Sequence, residues 1–212
     1  MKPFLDESRT PAVRGFWHDA AVGPGREAKG VLVLAHGAGS NAAAPVLVAV
    51  AGDFAEAGYA VLRCDLPFRQ ARSHGPPFPA TAARDREGLE NAVASVRRPG
   101  RVILGGHSYG GRQASMLAAE KPGLVDALLL LSYPLHPPRK PDQLRTAHFP
   151  QLTTPALFVH GARDPFGTHE EMQQAIGLIP ARTKLIEIER AGHELAGFAW
   201  APQAVLELEK LF

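Results

Sequence analysis

Short apolar runs alternate along the chain with longer segments whose apolar positions recur every three or four residues, and glycine or proline marks most of the changes between them. The runs Val31–Ala35, Tyr59–Asp65, Arg101–Gly105, Ala127–Ser132, Pro155–His160 and Lys184–Ile188 are rich in Val, Leu and Ile without strict alternation. That pattern belongs to parallel strands buried on both faces. Helical periodicity predicts helices at about 43–57, 81–97, 110–120, 168–179 and 202–211. Strand and helix alternate. The expected fold class is therefore α/β, a mostly parallel central sheet with helices on both faces and no separate lid domain. Residues 1–25 carry a weaker signal, and an antiparallel edge strand is expected around Ala12–His18.

Composition narrows the class. The chain has 212 residues, enough for one substantial core, and reads as a single domain over 1–212. Apolar residues make up 45% and charged residues 21%, the balance of a soluble globular protein. A net charge of +2 is too small to argue for nucleic acid or an anionic membrane as partner. No stretch approaches the roughly 20 apolar residues that span a bilayer. The N-terminal residues carry charges where a signal peptide needs its apolar segment. The single cysteine, Cys64, excludes an intrachain disulfide and agrees with a reducing compartment. A cytoplasmic location is expected. No His-x-x-x-His pair or Cys/His cluster appears, so neither a metal site nor a cofactor is expected.

The most informative segment is Arg101–Arg112, where an apolar run ends in Gly106-His107-Ser108-Tyr109-Gly110 and a helix follows. Gly-x-Ser-x-Gly at a strand-to-helix turn suits a nucleophile held clear of the sheet. The same residues fit the first half of a phosphate-binding loop. That loop would continue with Lys and then Ser or Thr, and the chain has Arg112 and Gln113, so the nucleotide reading falls. A serine hydroxyl needs a base and a group that orients the base. His193 follows the last strand and is the candidate base; Asp164 follows the preceding strand and is the candidate acid. Ser108, Asp164 and His193 run in the chain order of the α/β hydrolases. Asp65 and Asp142 are rival acids, Asp65 better suited to binding a neighbouring loop. The amide of Ala38, or of its neighbour Gly39, should pair with that of Tyr109 as an oxyanion hole. Phe68, Tyr133 and Phe166 follow strands and are candidate pocket walls. Arg112, one turn beyond Ser108, is expected to lie over the helix surface rather than pair with an acid near the site.

Two loops concentrate proline, aromatic residues, His and Arg: Leu66–Pro79 and Tyr133–Pro150. Both follow strands, at the sheet edge where ligands bind in open α/β folds. With these segments assembled, the chain resembles the α/β-hydrolase superfamily over nearly its whole length. It looks most like the small lidless branch related to dienelactone hydrolases, within a group that includes a testis-expressed hydrolase-like protein and a chromatin-complex subunit. The segments that carry the resemblance are LAHGAGS, DLPFR, GGHSYGGR, YPLHPP.KP, LR..HF and HGARDPFG. It implies a hydrolase fold and a serine hydrolase of small esters, thioesters or related acyl compounds. Because some members of that group serve as interaction modules, a non-catalytic docking role centred on the 133–150 loop is the alternative.

Overall fold

The computed structural model describes residues 1–23 and 25–212. One eight-stranded sheet runs through it: β1 (Lys2–Asp6), β2 (Val13–His18), β3 (Gly30–Ala35), β4 (Tyr59–Asp65), β5 (Arg101–His107), β6 (Ala127–Leu131), β7 (Ala156–Gly161) and β8 (Thr183–Ile188). Their spatial order is β1-β2-β4-β3-β5-β6-β7-β8. The pairs β1–β2 and β2–β4 are antiparallel and every other pair is parallel. The strand expected at the edge near Ala12–His18 is thus the second strand. The edge itself is β1, where side chains are mostly solvent-facing and no apolar run announces the strand.

Alternate residues of the central strands feed two cores. Val31, Val33 and Ala35 of β3 face one core, and Leu32 and Leu34 face the other. The first core is closed by α3 (Ala82–Val96), α4 (Tyr109–Glu120) and α5 (His169–Ile176), the second by α1 (Pro45–Glu56) and α6 (Ala201–Glu209). Burial on both faces explains why the parallel strands read as unbroken apolar runs. One short helix, α2 (Pro67–Ala71), lies inside the segment read as a loop; Pro67 opens it with a backbone already set for a first turn. Among the described residues no helix is long and apolar enough to cross a membrane.

Chain direction across the sheet reverses at β3. From β3 the chain steps to β4 on one side and then crosses to β5 on the other, so β3 and β5 lie side by side with Ala35 opposite Gly106. Their carboxyl ends open a crevice between the segment after Ala35 and the turn at Ser108. Open α/β sheets bind ligands at this kind of reversal.

Candidate active site

Ser108 sits in the turn between β5 and α4 with φ 51° and ψ −115°, a conformation that costs a non-glycine residue energy. Three glycines make the turn possible by close packing. A Cβ on Gly106 would lie 2.5 Å from the Ala35 carbonyl oxygen, and one on Gly110 would lie 2.6 Å from the same atom. One on Gly111 would meet the Gly106 oxygen at 2.6 Å. The Ser108 amide donates to Leu131 O at 2.8 Å, which ties the turn to β6. Ser108 is the residue before the first helical one, yet its hydroxyl caps no helix amide. That hydroxyl is directed elsewhere.

It meets His193. The imidazole Nε2 lies 2.9 Å from Ser108 Oγ, and Nδ1 lies 2.8 Å from Asp164 Oδ2. Asp164 is buried in the turn after β7, and its other oxygen accepts the Phe166 amide at 2.9 Å. Burial acts to raise the Asp164 carboxyl pKa, but the hydrogen bond and charge of His193 and the Phe166 amide hold it below the ordinary value. The turns carrying Asp164 and His193 are packed on each other: the Arg163 amide donates to Ala191 O, and a Cβ on Gly161 would meet Gly192 O at 2.5 Å. A hydroxyl bonded to an imidazole that a carboxylate holds is the arrangement in which serine gives up its proton on attack.

Among the described residues, the amides of Ala38 and Tyr109 donate to no other group of the chain. Both residues line the same cleft as Ser108 and Phe166, a space of about 470 Å³. Phe166 lies over the His193 ring with centroids 4.3 Å apart. Phe68 and Tyr133 are placed differently from the sequence expectation: both are buried in the core. Phe68 packs behind the cleft against His36 and edge-on to Tyr109. Tyr133 packs on Phe149 and Phe158, and its hydroxyl donates to Arg145 O at 2.6 Å, which anchors the long loop. Arg112 also departs from expectation, lining the cleft beside Ser108. Asp65 accepts the Ala42 amide at 2.8 Å and pairs with Arg14; Asp142 is exposed, and neither meets His193.

Four further residues hold the site together. The Leu66 amide donates to His36 Nε2 at 3.1 Å, so the proton of the neutral ring is on Nδ1, which donates to Gly37 O at 2.8 Å. The peptide so polarised is the one that carries the Ala38 N–H. Arg69, buried and without a carboxylate partner among the described residues, donates to Ser40 O and Ala38 O, stitching α2 to that segment, and to Gly75 O beyond the helix. Asp85 of α3 accepts the Phe68 amide at 3.0 Å and the Tyr109 hydroxyl at 2.7 Å; burial raises its pKa against both donors. His107 reaches His193 from behind. Of these, Asp85 carried a readable signal, since it falls on the apolar stripe of Leu89, Ala92 and Val96, where a charged residue has to find partners.

A parallel sheet that reverses at its third strand, with a serine raised on the turn after the fifth and an aspartate and a histidine after the last two, defines an α/β hydrolase fold without a lid. The family model described as an α/β hydrolase domain matches residues 28–200, and the chain belongs to that family. Solved structures agree over the whole chain. Est1E from Butyrivibrio proteoclasticus superposes with a TM-score of 0.76 at 16% identity, covering 99% of this chain and 100% of that one. A dienelactone hydrolase from Anabaena variabilis gives 0.74 at 23% identity, covering 100% and 98%. The α/β hydrolase domain-containing protein 10 from mouse gives 0.71 at 16% identity, covering 100% and 98%. At these identities the likeness is one of fold.

Proposed function

We propose that this chain is a serine hydrolase that cleaves small carboxylic esters, thioesters or related acyl compounds, acting as one domain over residues 1–212. The reading rests on one observation, the unbroken line from Ser108 Oγ through His193 to the buried Asp164 carboxylate. In the reaction, Ser108 Oγ attacks the acyl carbonyl while its proton passes to His193 Nε2. The carbonyl oxygen takes up negative charge and is met by the Ala38 and Tyr109 amides. As the tetrahedral centre collapses, the bond to the leaving group breaks and His193 returns the proton to it. Water then repeats the sequence, with His193 as base, and frees the acid and Ser108. Asp164 keeps the imidazole in the tautomer that presents Nε2 to the serine. Phe166 bounds the bound acyl group. A cytoplasmic location is part of the reading, on the single cysteine; Cys64 is buried, and burial pushes its thiol pKa up to about 12, so it is inert.

A fluorophosphonate probe tests the assignment. The folded protein should gain one mass adduct on Ser108, and Ser108→Ala should gain none. A folded wild type that stays unlabelled overturns the proposal.

A further inference from the structure

The cleft beside Ser108 holds more positive charge than its own structure neutralises. Arg112 and Arg145 both line it, with Phe78, Met116 and Pro134 as apolar wall. Among the described residues neither arginine pairs with a carboxylate. On α4, Glu120 is taken by Arg86 at 2.9 Å. Both oxygens of Asp85 are taken by Phe68 and Tyr109. Arg112 Nε is buried with no hydrogen-bond partner. Gln113 is fully buried and its Oε1 accepts from Arg86 Nη1 at 3.0 Å, so it brings no negative charge to the cleft. Arg145 Nη1 donates to Pro134 O at 3.2 Å, a neutral acceptor, so both guanidinium groups keep their full charge beside one space.

The surroundings carry the strain of that charge. Burial and then the charge of Arg112 lower the Arg145 pKa, and burial with Arg112 and Arg86 brings His148 down to about 4. His148 is bonded to Ser115 Oγ at 2.8 Å and stays neutral beside the arginines. Two like charges held together without a counter-ion are what an anionic ligand would relieve, and guanidinium forks match a carboxylate.

We propose that Arg112 and Arg145 form an anion subsite, and that the acyl group this protein takes ends in a carboxylate. The proposal rests on the serine hydrolase reading. The acyl half of the substrate is assigned to this cleft because the other space at Ser108, about 420 Å³, is bordered by His193 and the exposed Glu194. His193 gives its proton to the leaving group on that side, and Glu194 repels an anion there. Arg112 lies four residues beyond Ser108 on α4, a rise of about 6 Å, so a spacer of a few methylenes reaches from the reacting carbonyl to the guanidinium.

Two esters of equal chain length decide it, mono-(4-nitrophenyl) glutarate and 4-nitrophenyl valerate, which differ by a carboxylate in place of a methyl group. For wild type, kcat/KM should favour the glutarate ester by at least about tenfold, a preference that shrinks with added salt. In Arg112→Gln/Arg145→Gln the ratio of the two should fall at least about tenfold; in Arg112→Lys/Arg145→Lys, which keeps the charge and loses the fork, it should fall less. Wild type that prefers valerate, or a Gln double variant that keeps the glutarate preference, overturns the subsite. Calorimetry of Ser108→Ala with monomethyl glutarate judges the subsite without catalysis. Binding that disappears with both arginines supports it even in a protein that fluorophosphonate leaves unlabelled, and absence of binding to Ser108→Ala overturns it even if Ser108 is labelled.

Discussion

His107 Nε2 donates to the backbone oxygen of His193 at 2.8 Å, and the two rings lie 5.1 Å apart. The residue just before Ser108 therefore holds the main chain of the proposed base. Burial lowers the His107 pKa, which keeps the ring neutral with its proton on the bonded nitrogen. His107→Leu should release the His193 turn and lower kcat on a 4-nitrophenyl ester by about 10², since misplacement of about 1 Å has that effect, with KM little moved. His107→Gln, which keeps a donor at similar reach, should restore most of it. Equal loss in both variants would argue that the ring acts only as packing.

The carboxylate makes a separate prediction. Asp164 uses one oxygen for His193 and the other for the Phe166 amide, so Asp164→Asn preserves the size of the group and its acceptor for Phe166. What it loses is the charge and the tautomer of His193. In serine proteases the corresponding change lowers kcat by about 10⁴, and a similar fall is expected here with an unchanged melting temperature to within a few degrees. Activity within tenfold of wild type would remove Asp164 from the proposed machinery.

Two glycines in helices should respond to alanine with opposite signs. At Gly110 a Cβ would lie 2.6 Å from Ala35 O and 2.7 Å from His36 O, both backbone atoms of the neighbouring strand end. At Gly52, inside α1, a Cβ would meet nothing within 4 Å. Alanine favours a helix over glycine by about 1 kcal/mol, so Gly52→Ala should stabilise by about 0.5–1 kcal/mol. Gly110→Ala should destabilise by more than about 2 kcal/mol in urea unfolding, because the strand end has to move. Stabilisation at both positions would mean that helix propensity outweighs the contact at the turn.

What the sequence made legible follows from where each signal is stored. The parallel strands are buried on both faces, so runs such as Val31–Ala35 name themselves, and the glycines around Ser108 mark the turn because only their absent side chains fit it. That Ser108, Asp164 and His193 meet could be anticipated because each follows a strand and a parallel sheet brings such ends to one edge. β1 escaped because Lys2–Asp6 is fixed by pairing with β2 rather than by its own pattern. Tyr133 and Phe68 looked like pocket walls from the loops they open, but whether a ring turns inward depends on packing partners far away in the chain. Arg112 went the other way for the same reason: it lines the cleft, and among the described residues no carboxylate pairs with it. His107 and His193 are joined across 86 residues, a distance no local pattern reports.

His36 links the pH dependence of folding to the segment that carries Ala38. Burial lowers its pKa from 6.5 to about 4, opposed by its bond to Gly37 O and the charge of Asp65. Protonation would set an N–H on Nε2 against the Leu66 amide, donor against donor. Because the folded value lies below the unfolded one, the unfolded chain takes up the proton first as pH falls. The contribution is fully present above pH 6.5 and is lost between about 6.5 and about 4, a difference of about 3 kcal/mol in unfolding free energy. His148, lowered to about 4 for the same chief reason, adds in the same window. Urea unfolding at pH 7 and pH 4.5 checks this with His36→Asn, which can still donate to Gly37 O but leaves the Leu66 amide unmet. The variant should be weaker at pH 7 by about 1–3 kcal/mol and should lose less than wild type on acidification. If both proteins lose the same amount between the two pH values, the buried imidazole is not what titrates, and the acid sensitivity belongs to His148 and the other shifted groups.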